Sequence, residues 1–84
     1  MPKIAYFFGV LIIMRLTSKE HVPPRIHAFY GEKEAKFRIS DGEMFEGFIP
    51  NKQRKEVTKF INNFKNELHE MWDEEKYKEI KVKE

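Results

Sequence analysis

Between Arg25 and Ile49 the chain alternates apolar and polar residues in three short runs split by two turn signals. No other feature constrains its fold as tightly. The runs are RIHAFYG (25–31), EAKFRIS (34–40) and EMFEGFI (43–49). Successive strand side chains point to opposite faces, so a strand with one covered face repeats apolar residues at every second position. Ser40-Asp41-Gly42 is a strong hairpin signal, with Gly42 expected at the left-handed position of a three-residue loop. Glu32-Lys33 is the candidate two-residue loop of the first hairpin, eased by neighbouring Gly31. These turns set Tyr30 opposite Ala35, Ala28 opposite Phe37 and Ile26 opposite Ile39. Beyond the second turn, Phe37 opposes Phe45 and Ala35 opposes Gly47. One face then collects Ile26, Ala28, Tyr30, Ala35, Phe37, Ile39, Phe45 and Ile49. Two turns chosen independently deliver the same apolar face, as a meander requires.

GVLIIMRL (9–16) reads as a further strand, with Val10, Ile12, Met14 and Leu16 turned inward. A polar connection, TSKEHVP (17–23), leads to Pro23 and Pro24, which lack amide donors and so belong at the start or edge of a strand. After Pro50, with Asn51 as N-cap, the residues Val57, Phe60, Ile61, Phe64, Leu68, Met71 and Trp72 form an apolar stripe at helical spacing. The stripe's natural destination is the apolar sheet face, which makes Trp72 and the phenylalanines core residues. The expected architecture is α+β: a four-stranded antiparallel β-meander over about 3–49, with one long C-terminal α-helix over about 52–77 packed on one face. The tail, 78–84, is expected as a short closing strand, with a frayed end as the alternative.

Eighty-four residues make one small domain, 1–84, that hides about 60% of its unfolded surface and gains from a partner subunit. Hydrophobic residues at 40% and charged residues at 36% describe a globular chain. The absence of cysteine excludes disulfides and thiolate metal sites. The apolar run from Tyr6 to Met14 ends at Arg15, far short of the roughly 20 residues needed to span a bilayer. With no cleavage site after it, a cytoplasmic location is expected and no membrane association. A net charge of +2, from 16 basic and 14 acidic residues, lacks the global basicity of many nucleic-acid binders.

The face turned away from the helix is expected to carry Arg25, His27, Phe29, Lys36, Arg38, Met44, Glu46 and Phe48, joined by Leu11, Ile13 and Arg15. Bases mixed with aromatics suggest a contact surface, with Arg25, His27, Phe29, Lys36, Arg38 and Phe48 as its binding residues. Bases supply phosphate contacts and aromatics supply stacking platforms, so RNA is one candidate partner. A protein partner or a second copy of the chain fits at least as well, since Glu46 lies mid-face. The alternative is an ordinary Lys36–Glu46 cross-strand pair among residues of good strand propensity. On the helix, Lys52, Arg54, Lys55 and Lys59 crowd the start and Glu67, Glu70, Asp73, Glu74 and Glu75 the end, the reverse of what the macrodipole favours. His69 reads as a surface residue.

Two of the three histidines, His21 and His27, stand six positions apart around Pro23-Pro24. Such a pair can do general acid–base work on a phosphodiester, with Arg38, opposite His27 in the register above, stabilising the transition state. As metal ligands they number two, with Glu20 a possible third, whereas a closed zinc site takes four. Structure or partner contact is the plainer account, and no cofactor or metal is expected.

MPKIAYFFGVLIIM, HVPPRIHAFYG, DGEMFEGFIP and a tryptophan near the end of the last helix, in this order, resemble the small prokaryotic family known as domain of unknown function 4160. The resemblance covers roughly residues 1–72. Its most specific element is His-x-Pro-Pro-x-x-His-x-x-Tyr-Gly, carried by His21, Pro23, Pro24, His27, Tyr30 and Gly31. The resemblance implies a gene pair with another small protein, similar to a toxin–antitoxin module, and implies no chemistry. Members commonly have a histidine where this chain has Arg25 and an aspartate where it has Glu20, which weakens a three-histidine metal site here. The expected function is therefore a small interaction protein, one component of a toxin–antitoxin-like module. It would bind a cognate small protein from a neighbouring gene, or RNA, through its open sheet face. A metal-independent endoribonuclease toxin is the alternative, and a histidine-liganded metal protein a weaker one.

Overall fold

A computed structural model of the chain describes residues 3–15 and 23–83. Five strands, β1 (Lys3–Phe7), β2 (Val10–Ile13), β3 (Arg25–Tyr30), β4 (Lys33–Arg38) and β5 (Met44–Gly47), form one antiparallel meander in chain order. Two helices follow, α1 (Asn51–Asn63) and α2 (Lys65–Glu74). The α+β class and the meander are as expected, while the strand count, the helix and parts of the register differ.

The extra strand comes from the apolar run at the start. Phe8 and Gly9 both take positive φ, 48° and 77°, and fold the run into a hairpin in which Phe7 opposes Val10. A two-residue loop with two left-handed residues matches the twist of the flanking strands. Phe8 adopts this unusual conformation with its ring edge-on to Phe7 at 6.4 Å.

The first-hairpin register is corrected by two positions. Its loop is Gly31-Glu32, with Gly31 at φ 60°, so Tyr30 opposes Lys33, Ala28 opposes Ala35 and Ile26 opposes Phe37. Glycine takes the left-handed position without steric cost, which draws the turn onto Gly31 itself. A slip of two residues preserves side-chain parity, so the expected core face survives: Ile26, Ala28, Ala35, Phe37, Ile39 and Ile49 are all fully buried. Tyr30 packs half-buried against the same cluster.

In the second hairpin Ala35 opposes Gly47 as expected, but an irregularity after Lys36 sets Phe37 opposite Met44 and not Phe45. Met44 packs against the core, whereas Phe45 lies outside it, with the Arg38 guanidinium 5.6 Å from its ring centre. Gly42 does sit left-handed, at φ 72°, and its carbonyl accepts a 2.7 Å hydrogen bond from the Thr58 hydroxyl, which ties the turn to α1.

The expected single helix is broken at Phe64, whose backbone (φ −122°, ψ 26°) leaves the helical region. Asn51 is the first helical residue rather than the cap, Pro50 holding that position without a side-chain bond. The stripe is nevertheless buried along both helices at Val57, Phe60, Ile61, Leu68, Met71 and Trp72. The second helix ends at Glu74, and left-handed Glu75 closes it with a backbone bond to Met71, so the helix does not reach residue 77. Residues 78–83 form no strand. They are fixed by Ile80, which is buried and donates its backbone N–H to the Ile4 carbonyl at 2.6 Å.

Helices, tail and one sheet face thus share a single apolar cluster. Among the described residues no helix is long and apolar enough to cross a membrane. The β4–β5 contact sets a strict steric limit: a Cβ on Gly47 (φ 82°) would collide with the Glu34 carbonyl oxygen and come within 2.9 Å of Ala35 Cα. Gly47→Ala is expected to lose about 2 kcal/mol or more in urea unfolding. Gly31→Ala, which meets open space and carries only the φ cost, is expected to lose about 1 kcal/mol.

Candidate functional site

The second face of the sheet, away from the helices, is organised in rows by the strand register. One row runs Tyr6, Leu11, Phe29, Glu34 across β1 to β4. The next runs Ile13, His27, Lys36, Glu46 across β2 to β5. Arg25 opposes Arg38 in a third. Parity along β3 therefore places His27 and Phe29 on this side, as the alternation of the sequence predicts.

His27 is not open, however. It is 3% exposed, flanked by Ile13, itself 4% exposed, and by Lys36. Its Nδ1 donates a 2.9 Å hydrogen bond to the Glu34 carboxylate, a diagonal cross-strand contact. Burial is the largest influence on the imidazole and lowers its pKa from 6.5. Glu34 opposes this through its hydrogen bond and charge, while Arg15 and Arg25 reinforce it. The contact has ion-pair geometry, but the balance favours a neutral ring, because charging it would add a third positive group near the Arg15 and Arg25 guanidiniums at a buried position. With Nδ1 holding the proton, Nε2 carries the lone pair.

The other cations are engaged in different ways. Lys36 pairs with Glu46 at 2.8 Å, and that hydrogen bond is the main cause holding the Glu46 pKa below its usual value. Arg38 reaches both Asp41 oxygens, with Nε at 3.2 and 3.0 Å. The Asp41 pKa is lowered first by the backbone N–H of Glu43 and then by Arg38. Arg25 turns its guanidinium to within 5.8 Å of the Trp72 ring centre, so it wraps towards the helix side rather than facing outward. Arg15 lies over Phe29 at 5.7 Å. Tyr6 and Phe48 are 59% and 58% exposed, and Phe48 donates its backbone N–H to the Glu34 carbonyl.

The proposed acid–base set is not assembled among these residues. His27 opposes Lys36 and not Arg38, which is committed to Asp41, and His21 and Glu20 lie outside the described residues. Among the described residues no three His, Cys, Asp or Glu side chains gather as metal ligands. Sequence reasoning missed Glu34 as the partner of His27, since the slipped register held the two apart. It also missed Tyr6, whose strand was hidden in an unbroken apolar run.

Because the folded protein holds His27 less protonated than the unfolded chain does, acid favours unfolding. The loss begins as pH falls below 6.5 and levels off below the folded-state pKa. Urea midpoints at about pH 7.5 and about pH 5.5 should therefore fall more for the wild type than for His27→Gln. An NMR titration of the His27 ring with its midpoint above 6.5 contradicts this.

No curated protein and no solved structure matches the chain. A family model does, from residue 9 to residue 73, across β2 to β5, α1 and nearly all of α2. The protein belongs to the family described as domain of unknown function (DUF4160).

Proposed function

We propose that this chain is a small interaction protein, one component of a toxin–antitoxin-like module, and that it docks on a small protein encoded beside it through the second face of its sheet. The observation that carries this reading is the row Tyr6, Leu11, Phe29. Apolar side chains stand in line across three strands on the face away from the helices, and Tyr6 keeps 59% of its surface exposed. Such a row on a domain this small is the kind of patch that a partner covers. Charge pairing favours protein over RNA. Lys36 is matched by Glu46 and Arg38 by Asp41, which leaves few cations to displace counterions from a phosphate chain.

Co-expression with the neighbouring gene product, followed by affinity capture, tests the reading. Phe29→Ala and Tyr6→Ala are expected to weaken capture by about tenfold or more while circular dichroism stays unchanged. Equal capture by both folded variants, or retention of RNA in place of a protein, defeats it.

A second reading rests on His27, whose unprotonated Nε2 and Glu34-anchored Nδ1 are the arrangement of a general base. In that case the chain is a metal-independent endoribonuclease acting through His21 and His27, and His27→Ala abolishes RNA cleavage and growth inhibition without unfolding the protein. The burial of His27 makes this the weaker of the two. A metal content below about a tenth of an equivalent in untagged protein excludes a histidine-liganded metal.

A further inference from the structure

The eleven residues from Ile4 to Met14 carry no charge, the longest such run in the chain. They fold as β1 and β2, and β1 is an outer strand of the sheet. An uncharged, strand-prone segment at a sheet edge invites a further strand. The opposite edge, β5, is blunted by its four-residue length, by Glu46 and by the irregularity of its ladder. β1 shares an irregularity, near Ile4, but carries no charge after Lys3. The C-terminal tail covers it instead. Tyr77, Ile80 and Val82 pack on the core, and Lys76, Lys78, Glu79, Lys81 and Lys83 around them stay exposed.

This cover does not complete the ladder. Glu79 pairs with Lys3 at 3.5 Å, Ile80 bonds to the Ile4 carbonyl, and Val82 shares a groove with Phe7 and Phe8. The tail therefore runs parallel to β1 in an otherwise antiparallel sheet, and among the described residues one backbone bond joins the two. The Phe8-Gly9 loop closes on the pair Phe7–Val10, so Phe7 and Ala5 bond towards β2 and the Tyr6 backbone N–H and carbonyl point outward. The joint between α2 and the tail is Glu75, a non-glycine residue held left-handed at φ 56°, which costs backbone energy while the tail is docked.

We propose that the β1 edge is an interface for a second copy of this chain, paired antiparallel through Tyr6 about a two-fold axis, and that the C-terminal tail is the guard that covers this edge in the single chain. The inference is independent of the partner reading. The edge itself selects the occupant. Across a two-fold axis at Tyr6 each tyrosine exchanges both backbone bonds with its counterpart, and Ala5 faces Phe7. The same uncharged segment lies on both sides, with the two copies of Lys3 at opposite ends, so no like charges meet.

The test measures self-association of the full chain by sedimentation, together with hydrogen exchange at the Tyr6 amide. Ile80→Asp puts a charge where the tail enters the core and releases the guard, whereas Glu75→Gly removes the cost of the joint and holds it closed. Affinity scales with the open population, so Ile80→Asp should dimerise about tenfold more tightly than the wild type, and Glu75→Gly about fivefold more weakly. Dimerisation should slow Tyr6 amide exchange about tenfold while Phe7, already bonded to β2, changes little. Adding Tyr6→Lys to Ile80→Asp sets two cations face to face and should restore the monomer. A folded Ile80→Asp that stays monomeric, or that associates without slowing Tyr6 exchange, overturns the proposal. Weaker association of Ile80→Asp than of the wild type overturns it in favour of exchanged tails. If Ile80→Asp does not fold, the wild type and Glu75→Gly decide at millimolar concentration: equal association, or none in either, overturns the interface.

Discussion

The two-residue turn at Gly31-Glu32 decides which way every side chain from Arg25 to Arg38 faces, and the two surfaces of the protein follow from it. A left-handed glycine at the first loop position closes the hairpin so that Ala28 meets Ala35 and Ile26 meets Phe37. Those pairs form the floor on which α1 and α2 lay their apolar stripe. The same parity sends His27, Phe29, Glu34 and Lys36 to the other side. A slip of one residue would exchange the two sets and leave the helices facing charge, so the core and the candidate site are specified together.

The second face is where polar chemistry is confined. Most of its charges are satisfied locally: Lys36 by Glu46, Arg38 by Asp41, and Glu34 by the neutral imidazole of His27. A histidine buried at 3% exposure between Ile13 and Lys36 acts first as a structural element, holding β3 to β4 through Glu34. Its neutrality follows from the same enclosure, since desolvation and the nearby arginines outweigh the carboxylate. Beside those local pairs the face carries the apolar row Tyr6, Leu11 and Phe29, with the Arg15 guanidinium over the Phe29 ring.

Elements carried by a repeating pattern were legible from the residues alone. The alternation of β3 and β4 and the stripe from Val57 to Trp72 each repeat a period several times, and their apolar faces are buried as expected, with Tyr30 and Phe64 only partly so. Features that hinge on one backbone torsion were not. Phe8-Gly9 turns an unbroken apolar run into two strands without any polar residue to announce it. Phe64 interrupts a helix whose stripe passes through it without a change of period. Phe45 and Met44 exchange roles because an irregularity after Lys36 shifts the ladder locally. Glu34 stayed unseen as the partner of His27 because a diagonal contact requires the exact register, whereas the core face requires only its parity.

The amino-acid order by itself determined the class of fold, the core that β3, β4 and the helical stripe contribute, and the side of the sheet on which His27 and Phe29 stand. These depend on side-chain period, a property local to each strand or helix. Tertiary structure alone decided that His27 is buried and neutral, that Arg25 bends towards Trp72, and that Arg15 keeps a buried donor without an acceptor among the described residues. Each of those outcomes depends on how strands distant in the chain enclose one another, and enclosure sets both the solvation of a charge and the partners within its reach.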